Sequence, residues 1–182
     1  LACGVCRACK GAAPHKCLSF KMVGGERDGT HADYVVVPEA CLVALPEGLG
    51  SDAAAAISLA GLTAWNMVVD EGAARAGEHA LVFGASGGVG VFTVLLLKRL
   101  GLTVHAVTSS PSKRDALMEL GADHVLDEQA AVILRHAARL PDKGVDLAFN
   151  CIGGTTWRYV CPAVRPGGRI LVCGTVRGPV AE

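Results

Sequence analysis

Residues 84 to 90 read Gly84-Ala85-Ser86-Gly87-Gly88-Val89-Gly90 and follow directly on the apolar run His79-Ala80-Leu81-Val82-Phe83. An apolar strand that runs into a glycine turn and then a helix is the arrangement that holds a dinucleotide pyrophosphate. The glycines allow a tight turn, close approach of phosphates to the backbone, and close packing of helix on strand. The helix that follows offers unpaired N–H groups and a partial positive charge to an anion. A glycine run alone is a weak signal, so the surrounding chain has to carry the reading.

From this turn onward the pattern alternates. Apolar runs predict strands at 80–84, 103–108, 123–126, 145–150 and 169–173. Helical spacing predicts helices at 88–100, 112–120, 129–139 and 156–164, the last weakened by Pro162. Such alternation argues for an α/β fold, a doubly wound parallel sheet covered on both faces. In the first of these helices Val89, Phe92, Leu96 and Leu100 form the expected buried stripe. Ser110-Pro111 reads as an N-cap with proline at the first helical position, and Gly121 closes that helix. Upstream, strands are expected at 32–38 and 41–45, then Ser51-Asp52 as the cap of a helix at 53–60, and a second helix at 62–70. The boundary between a small β-rich piece (1–50) and the α/β domain (51–182) falls near residue 50.

With 51% hydrophobic and 19% charged residues, the composition is core-forming. Seventeen basic and seventeen acidic residues balance, and no Lys/Arg stripe is visible. Nucleic acid and an anionic membrane surface are therefore not expected as partners. The apolar run 89–97 is too short to span a bilayer and ends in Lys98-Arg99. A cysteine cluster that begins at the third residue, with no scaffold before it, predicts a segment of a longer protein.

Cys3, Cys6, Cys9 and Cys17 follow C-x2-C-x2-C-x7-C. Four thiolates on one short loop suit tetrahedral zinc and leave no open position, which makes the site structural. His15 lies inside the loop and is the alternative ligand; a pair of disulfides is the alternative chemistry. In an α/β chain such a cluster points to metal in a reducing cytosol, hence a cytoplasmic protein. Cys41, Cys151, Cys161 and Cys173 sit in apolar contexts and are expected to be buried small hydrophobes. The histidines are scattered along the sequence, and Trp65 and Trp157 read as packing residues.

This combination resembles the medium-chain dehydrogenase/reductase superfamily, the zinc-type alcohol dehydrogenases and their quinone-reductase-like relatives. The resemblance rests on the cysteine lobe, Gly29-Thr30-His31-Ala32-Asp33-Tyr34-Val35-Val36-Val37-Pro38, and Leu59-Ala60-Gly61-Leu62-Thr63-Ala64-Trp65. The glycine turn, Leu120-Gly121-Ala122-Asp123-His124-Val125, 146–153 and Arg165-Pro166-Gly167-Gly168-Arg169 follow in family order. It implies the C-terminal part of a GroES-like β domain with a structural zinc lobe, then a Rossmann domain incomplete at its C-terminal end. It also implies a small-molecule substrate, a homo-oligomeric full-length protein, and cofactor-binding roles for Gly84 to Gly90, Cys151, Ile152, Gly153 and Thr63.

NAD-preferring sites place an acidic residue at the end of the second strand, about 20 residues past the glycines, on the ribose 2′-OH. Here that stretch is Ala106-Val107-Thr108-Ser109-Ser110-Pro111-Ser112-Lys113-Arg114, with no carboxylate before Asp115. Ser109, Ser110, Lys113 and Arg114 are the set a 2′-phosphate wants, so NADP is expected over NAD. In the zinc-dependent branch of the family a cysteine ligand precedes the glycine of the 60–63 segment; here the residue is Ala60. Alanine cannot coordinate metal, which argues against a catalytic zinc unless another ligand substitutes. Hydride transfer to an activated C=C or quinone is then the expected reaction. A zinc-dependent alcohol or aldehyde dehydrogenase and a non-catalytic nucleotide-binding module are the alternatives, and no catalytic residue is assigned.

Overall fold

The computed structural model describes residues 1–178, and residues 179–182 of the expected second domain lie outside them. The chain divides into two compact units, Leu1–Leu49 and Gly50–Glu182.

The first unit contains a one-turn helix α1 (Arg7–Lys10), 3-10 turns at Pro14–Lys16 and Glu39–Cys41, and a single bridge between Val23 and Arg27. The strands expected at 32–38 and 41–45 do not form; both stretches are irregular. A strand exists only through a pairing partner, and this unit supplies none. Tyr34, Val36 and Val43 consequently stand in solvent, and Cys17 is the unit's one buried hydrophobic residue.

The second unit is built on five parallel strands in the order β3-β2-β1-β4-β5. These are β1 (His79–Phe83), β2 (Thr103–Thr108), β3 (His124–Asp127), β4 (Val145–Asn150) and β5 (Val164–Val172). Strand β5 starts earlier than expected because Val164 already pairs with Val145, after which a bulge brings Arg169 opposite Leu147. Alternate residues serve opposite faces. Ala80, Val82, Val104, Ala106, Leu147 and Phe149 join one core, while Leu81, Phe83, Val107 and Ala148 join the other. Helices α3 (Gly88–Arg99) and α4 (Arg114–Glu119) pack on the first face, α5 (Ala130–Ala137) and α6 (Trp157–Ala163) on the second. Fully buried Phe83 and Phe149 each contribute roughly 1.5–3 kcal/mol from burial alone.

Helix α2 (Ser51–Trp65) is unbroken where two helices were expected, and a π-helical turn, Asn66–Glu71, continues it. Gly61 lies inside it, and its N-cap is Gly50 with no side-chain bond, so Ser51 and Asp52 are first-turn residues. Helix and turn together run 21 residues, and an 18-residue window within them has mean hydropathy 1.3, long and apolar enough by length and composition to cross a membrane. Splitting the segment at Gly61 hides that length in the sequence. Its far end is tied to the sheet, with Met67 and Val68 buried in the first core. Ile57, Leu59, Leu62 and Trp65 are exposed, so Trp65 is not the packing residue expected.

In α3 the buried positions are Gly90, Thr93, Val94 and Leu97. The expected stripe of Val89, Phe92, Leu96 and Leu100 therefore lies at the edge of the seam; the first three are half-buried, Val89 and Leu96 pack against the first core, and Leu100 is exposed. The cause is the close contact that Gly90 makes at the end of β1, described below.

Parallel register also gathers four histidines that look scattered in the sequence. His105 is opposite Leu81 and His124 in the register, with His79 at the start of β1 and His136 on α5 beside it. Its Nε2 lies 3.1 Å from His79 Nδ1, its Nδ1 lies 2.8 Å from His136 Nε2, and its ring stacks on His124 at 4.9 Å. Both nitrogens of His105 are thus engaged in a fully buried site. Burial, followed by the neighbouring histidines, pushes its pKa down to about 3, against a weak opposing pull from Asp123. A histidine depressed on folding binds its proton more readily in the unfolded chain, so stability rises with pH between about 3 and 6.5 and is lost on acidification. Unfolding free energy should fall by on the order of 2 kcal/mol from pH 7 to pH 5. In denaturant titrations His105→Leu should flatten that dependence, whereas an unchanged slope would show that the cluster does not set it. The ion-paired carboxylates Asp123 and Asp146 are also depressed, and they act only below their ordinary value of 3.8.

Candidate functional site: a crevice at the sheet's carboxyl edge and a four-sulfur lobe

Strand order reverses between β1 and β4, and in open α/β sheets ligands bind outside the carboxyl ends of the strands at that point. Gly84 leaves β1 with φ +71°, a left-handed conformation that glycine adopts without a Cβ penalty. Three residues on, Gly87 donates its N–H to Gly84 O at 2.9 Å, and α3 begins at Gly88. A Cβ on Gly90 would stand 2.1 Å from Gly84 O and 2.7 Å from Ala85 Cα. Only glycine permits this approach of helix to strand. The first-turn N–H groups of Gly88, Val89 and Gly90 meet no backbone acceptor among the described residues and open toward the crevice.

The crevice encloses about 490 Å³, within the roughly 300–1,000 Å³ that ligand clefts occupy. Gly84, Ser86, Gly87, Gly88, Val89 and Gly90 form its floor, Ser109, Ser110 and Lys113 one end, and Cys151 and Ile152 the wall from β4. These residues would hold a dinucleotide, with the N–H groups on the pyrophosphate. Ala85 is fully buried and belongs to the core behind the turn. Gly153 is buried beneath the wall, its N–H bound to Asn150 Oδ1 at 3.0 Å.

Arg114 departs from expectation. Its guanidinium donates to Asp127 at 2.7 Å and to the Val125 carbonyl at 2.7 Å, and it does not line the crevice. The carboxylate of Asp127 and the carbonyl of Val125, both on β3, hold it there. Lys113 is exposed, and its ammonium has no ion-pair partner among the described residues. Thr63 also falls elsewhere: its hydroxyl donates to Leu59 O at 2.8 Å on α2.

Two further residues, one behind the wall and one lining the crevice, are not singled out in the sequence reading. Asn150, buried at the end of β4, accepts the N–H groups of Ile152 (3.1 Å) and Gly153 and bonds Thr156 Oγ1 (3.0 Å). It fixes the turn that presents Cys151; a polar residue closing an apolar strand is the signal that could have found it. Glu128 lines the crevice, paired with Arg177 and accepting the Tyr159 hydroxyl at 3.2 Å. Burial and that carboxylate push the Tyr159 hydroxyl up to about 12.

In the first unit the sulfurs of Cys3, Cys6, Cys9 and Cys17 all lie within 4.8 Å of one another, and His15 is not among them. Separations of 3.5, 3.8 and 3.9 Å match the roughly 3.8 Å between thiolates around tetrahedral zinc at 2.3 Å. The N–H groups of Val5 and Cys6 pull the Cys3 thiol down to about 6, so one ligand is ionised near neutrality. Desolvation and the Cys6 thiol push Cys9 up to about 11. One soft dication resolves that competition, and the donor set fits zinc.

Against known proteins, the zinc-binding dehydrogenase profile matches residues 88–181 and the alcohol dehydrogenase GroES-like domain profile matches residues 1–47. The chain belongs to the medium-chain dehydrogenase/reductase superfamily. It is 32% identical over 153 residues to a quinone oxidoreductase of Pseudomonas aeruginosa, covering 84% of this chain and 47% of that protein. Among solved structures, an NAD-dependent alcohol dehydrogenase superposes with a TM-score of 0.90 at 35% identity, over 99% of this chain and 52% of that one. A mycobacterial protein solved with NADPH superposes at 0.70 and 29%, over 75% of this chain and 42% of that one. The chain thus spans about half the length of these relatives. Within this superfamily fold, Ala60 sits against the first turn of α3: a methyl on Gly88 would stand 3.6 Å from Ala60 Cβ.

The lobe generates a direct prediction. The purified protein should carry one zinc bound by these four thiols, and Cys6→Ser should lower the stoichiometry at least tenfold. Chelation should make residues 1–49 protease-sensitive, since this unit has almost no buried apolar surface to hold it. A lobe equally protected with and without metal would refute a structural zinc.

Proposed function

We propose that this chain is the cofactor-binding part of an NADPH-dependent oxidoreductase that delivers hydride to an activated C=C or a quinone. The observation that carries the cofactor choice is Lys113, unpaired beside Ser109 and Ser110 at the end of β2, while Glu128, the carboxylate that lines the crevice, is taken up by Arg177. A 2′-phosphate would be held by that ammonium and by the two hydroxyls, although Arg114 takes no part. The first-turn N–H groups of α3 would hold the pyrophosphate, and the Cys151-Ile152 wall would back the far end of the cofactor. When bound, the nicotinamide supplies the hydride.

The acceptor class is supported by Ala60, which offers no metal ligand where the zinc-dependent branch has cysteine. Without a Lewis acid, charge developing on an enolate-like oxygen suits hydrogen-bond donors. The second reading, a zinc-dependent alcohol or aldehyde dehydrogenase, is favoured by the likeness to an NAD-dependent alcohol dehydrogenase. Metal analysis of the full-length protein separates the two, since two zincs per subunit would favour the second. The reading carries with it a small-molecule substrate, a homo-oligomeric full-length protein and a cytoplasmic setting.

Nucleotide titration supplies the test. NADPH should bind the protein at least tenfold more tightly than NADH, and Lys113→Glu should remove that preference while leaving NADH affinity within about twofold, tenfold being 1.4 kcal/mol. Tighter binding of NADH by the unaltered protein would overturn the assignment. Full-length protein with NADPH should turn over enones or quinones and leave simple aldehydes untouched. Silence toward every acceptor would favour a non-catalytic module.

A further inference from the structure

Beside the nucleotide floor, the crevice holds two sulfurs that the reaction above does not use. Cys151 follows β4 and Cys173 follows β5, one step past the in-register pair Asn150 and Val172. The Cys173 N–H reaches Asn150 O at 3.4 Å, so the ladder continues to this point. Neighbouring strands lie about 4.8 Å apart, inside the 4.4–6.8 Å Cα separation that disulfides span. The two Sγ atoms are 3.4 Å apart, and both line the crevice. The expectation of buried, inert thiols fails here: Cys151 is half-buried and Cys173 exposed. Cys41 and Cys161 are exposed as well, but neither has a second sulfur beside it.

We propose that Cys151 and Cys173 form an oxidisable dithiol, a covalent modification site in which a peroxide closes a disulfide across the ends of β4 and β5.

The division of labour follows from the shared proton. Facing Cys151, the Cys173 thiol is drawn below its ordinary value, while Cys151 is pushed up by Cys173 and by burial. The exposed, more acidic Cys173 is the attacking thiolate, and Cys151 resolves it. Cys173 sulfur attacks one oxygen of hydrogen peroxide, the O–O bond breaks, and a sulfenic acid and hydroxide form. Cys151 sulfur then attacks the sulfenic sulfur, the S–O bond breaks, and hydroxide leaves. The two thiol protons join the two hydroxides, so two thiols and one peroxide give one disulfide and two waters. Two electrons pass from sulfur to peroxide, and a dithiol reductant reverses the step. Resting on the nucleotide reading of the crevice, bound NADPH covers the pair and slows its oxidation.

The test uses zinc-loaded protein treated with graded hydrogen peroxide, alkylated and digested with trypsin without reduction. Peptides 144–158 and 170–177, each with one cysteine, should appear joined and lighter by two hydrogens. The pair should react at least tenfold faster than Cys161, the exposed lone thiol on α6. Cys151→Ser should trap a sulfenic acid on Cys173 that dimedone labels, and Cys173→Ser should leave Cys151 unreacted. Absence of the joined peptides while Cys161 is oxidised, or labelling of Cys151 instead of Cys173, would overturn the proposal. Saturating NADPH should slow joining at least tenfold. Joining that is fast with and without NADPH leaves the dithiol standing and counts against the nucleotide reading alone.

Discussion

The contact on which the α/β unit depends is the approach of α3 to the end of β1, where Gly90 meets the Gly84 carbonyl with no room for a methyl. That approach turns Gly90, Thr93, Val94 and Leu97 toward the sheet and sends Val89, Phe92 and Leu96 to its flank. It also aims the unpaired first-turn N–H groups at the carboxyl edge, so one steric constraint sets both the core seam and the anion site. A larger residue at Gly90 would displace the helix and with it the crevice floor.

What could be read from the sequence depended on whether the determining partner was local. Strands β1, β2 and β4 were legible because each is an apolar run bounded by turn residues, and a strand buried on both faces needs no other signal. The face of α3 was misread because Val89, Phe92, Leu96 and Leu100 have the right spacing, while the real seam passes through a glycine and a threonine. Residues 32–38 have strand composition but no partner, and composition alone does not pair a strand. The four cysteines of the lobe were legible because metal-ligand spacing is itself local. The pairing of Arg114 with Asp127 was not legible because that carboxylate lies thirteen residues away on another element.

The two units hold together by different physics. The sheet unit buries two apolar cores and leaves no buried side-chain nitrogen or oxygen without a partner among the described residues. In the cysteine unit no comparable core exists, and four thiols, two of them with pKa values shifted in opposite directions, gather around the buried Cys17. Without a cation those sulfurs compete for one charge; with zinc all four ionise, and the metal replaces the core that the sequence lacks.

Parallel pairing explains why the remaining chemistry was hidden. In-register strands set residues distant in sequence side by side, so the pattern that matters runs across the sheet, perpendicular to the chain. At the amino ends this gathers His79, His105 and His124 against His136, a cluster whose buried member resists protonation. At the carboxyl ends it sets Cys151 beside Cys173 within the crevice. The sheet therefore separates the two sensitivities in space. Acid acts at the amino ends of the strands, and peroxide at the carboxyl ends, where the crevice opens. Oxidation of the cysteine pair can alter the crevice without touching the histidines, because Cys151 packs against the first core while His105 stands level with Leu81 of the second.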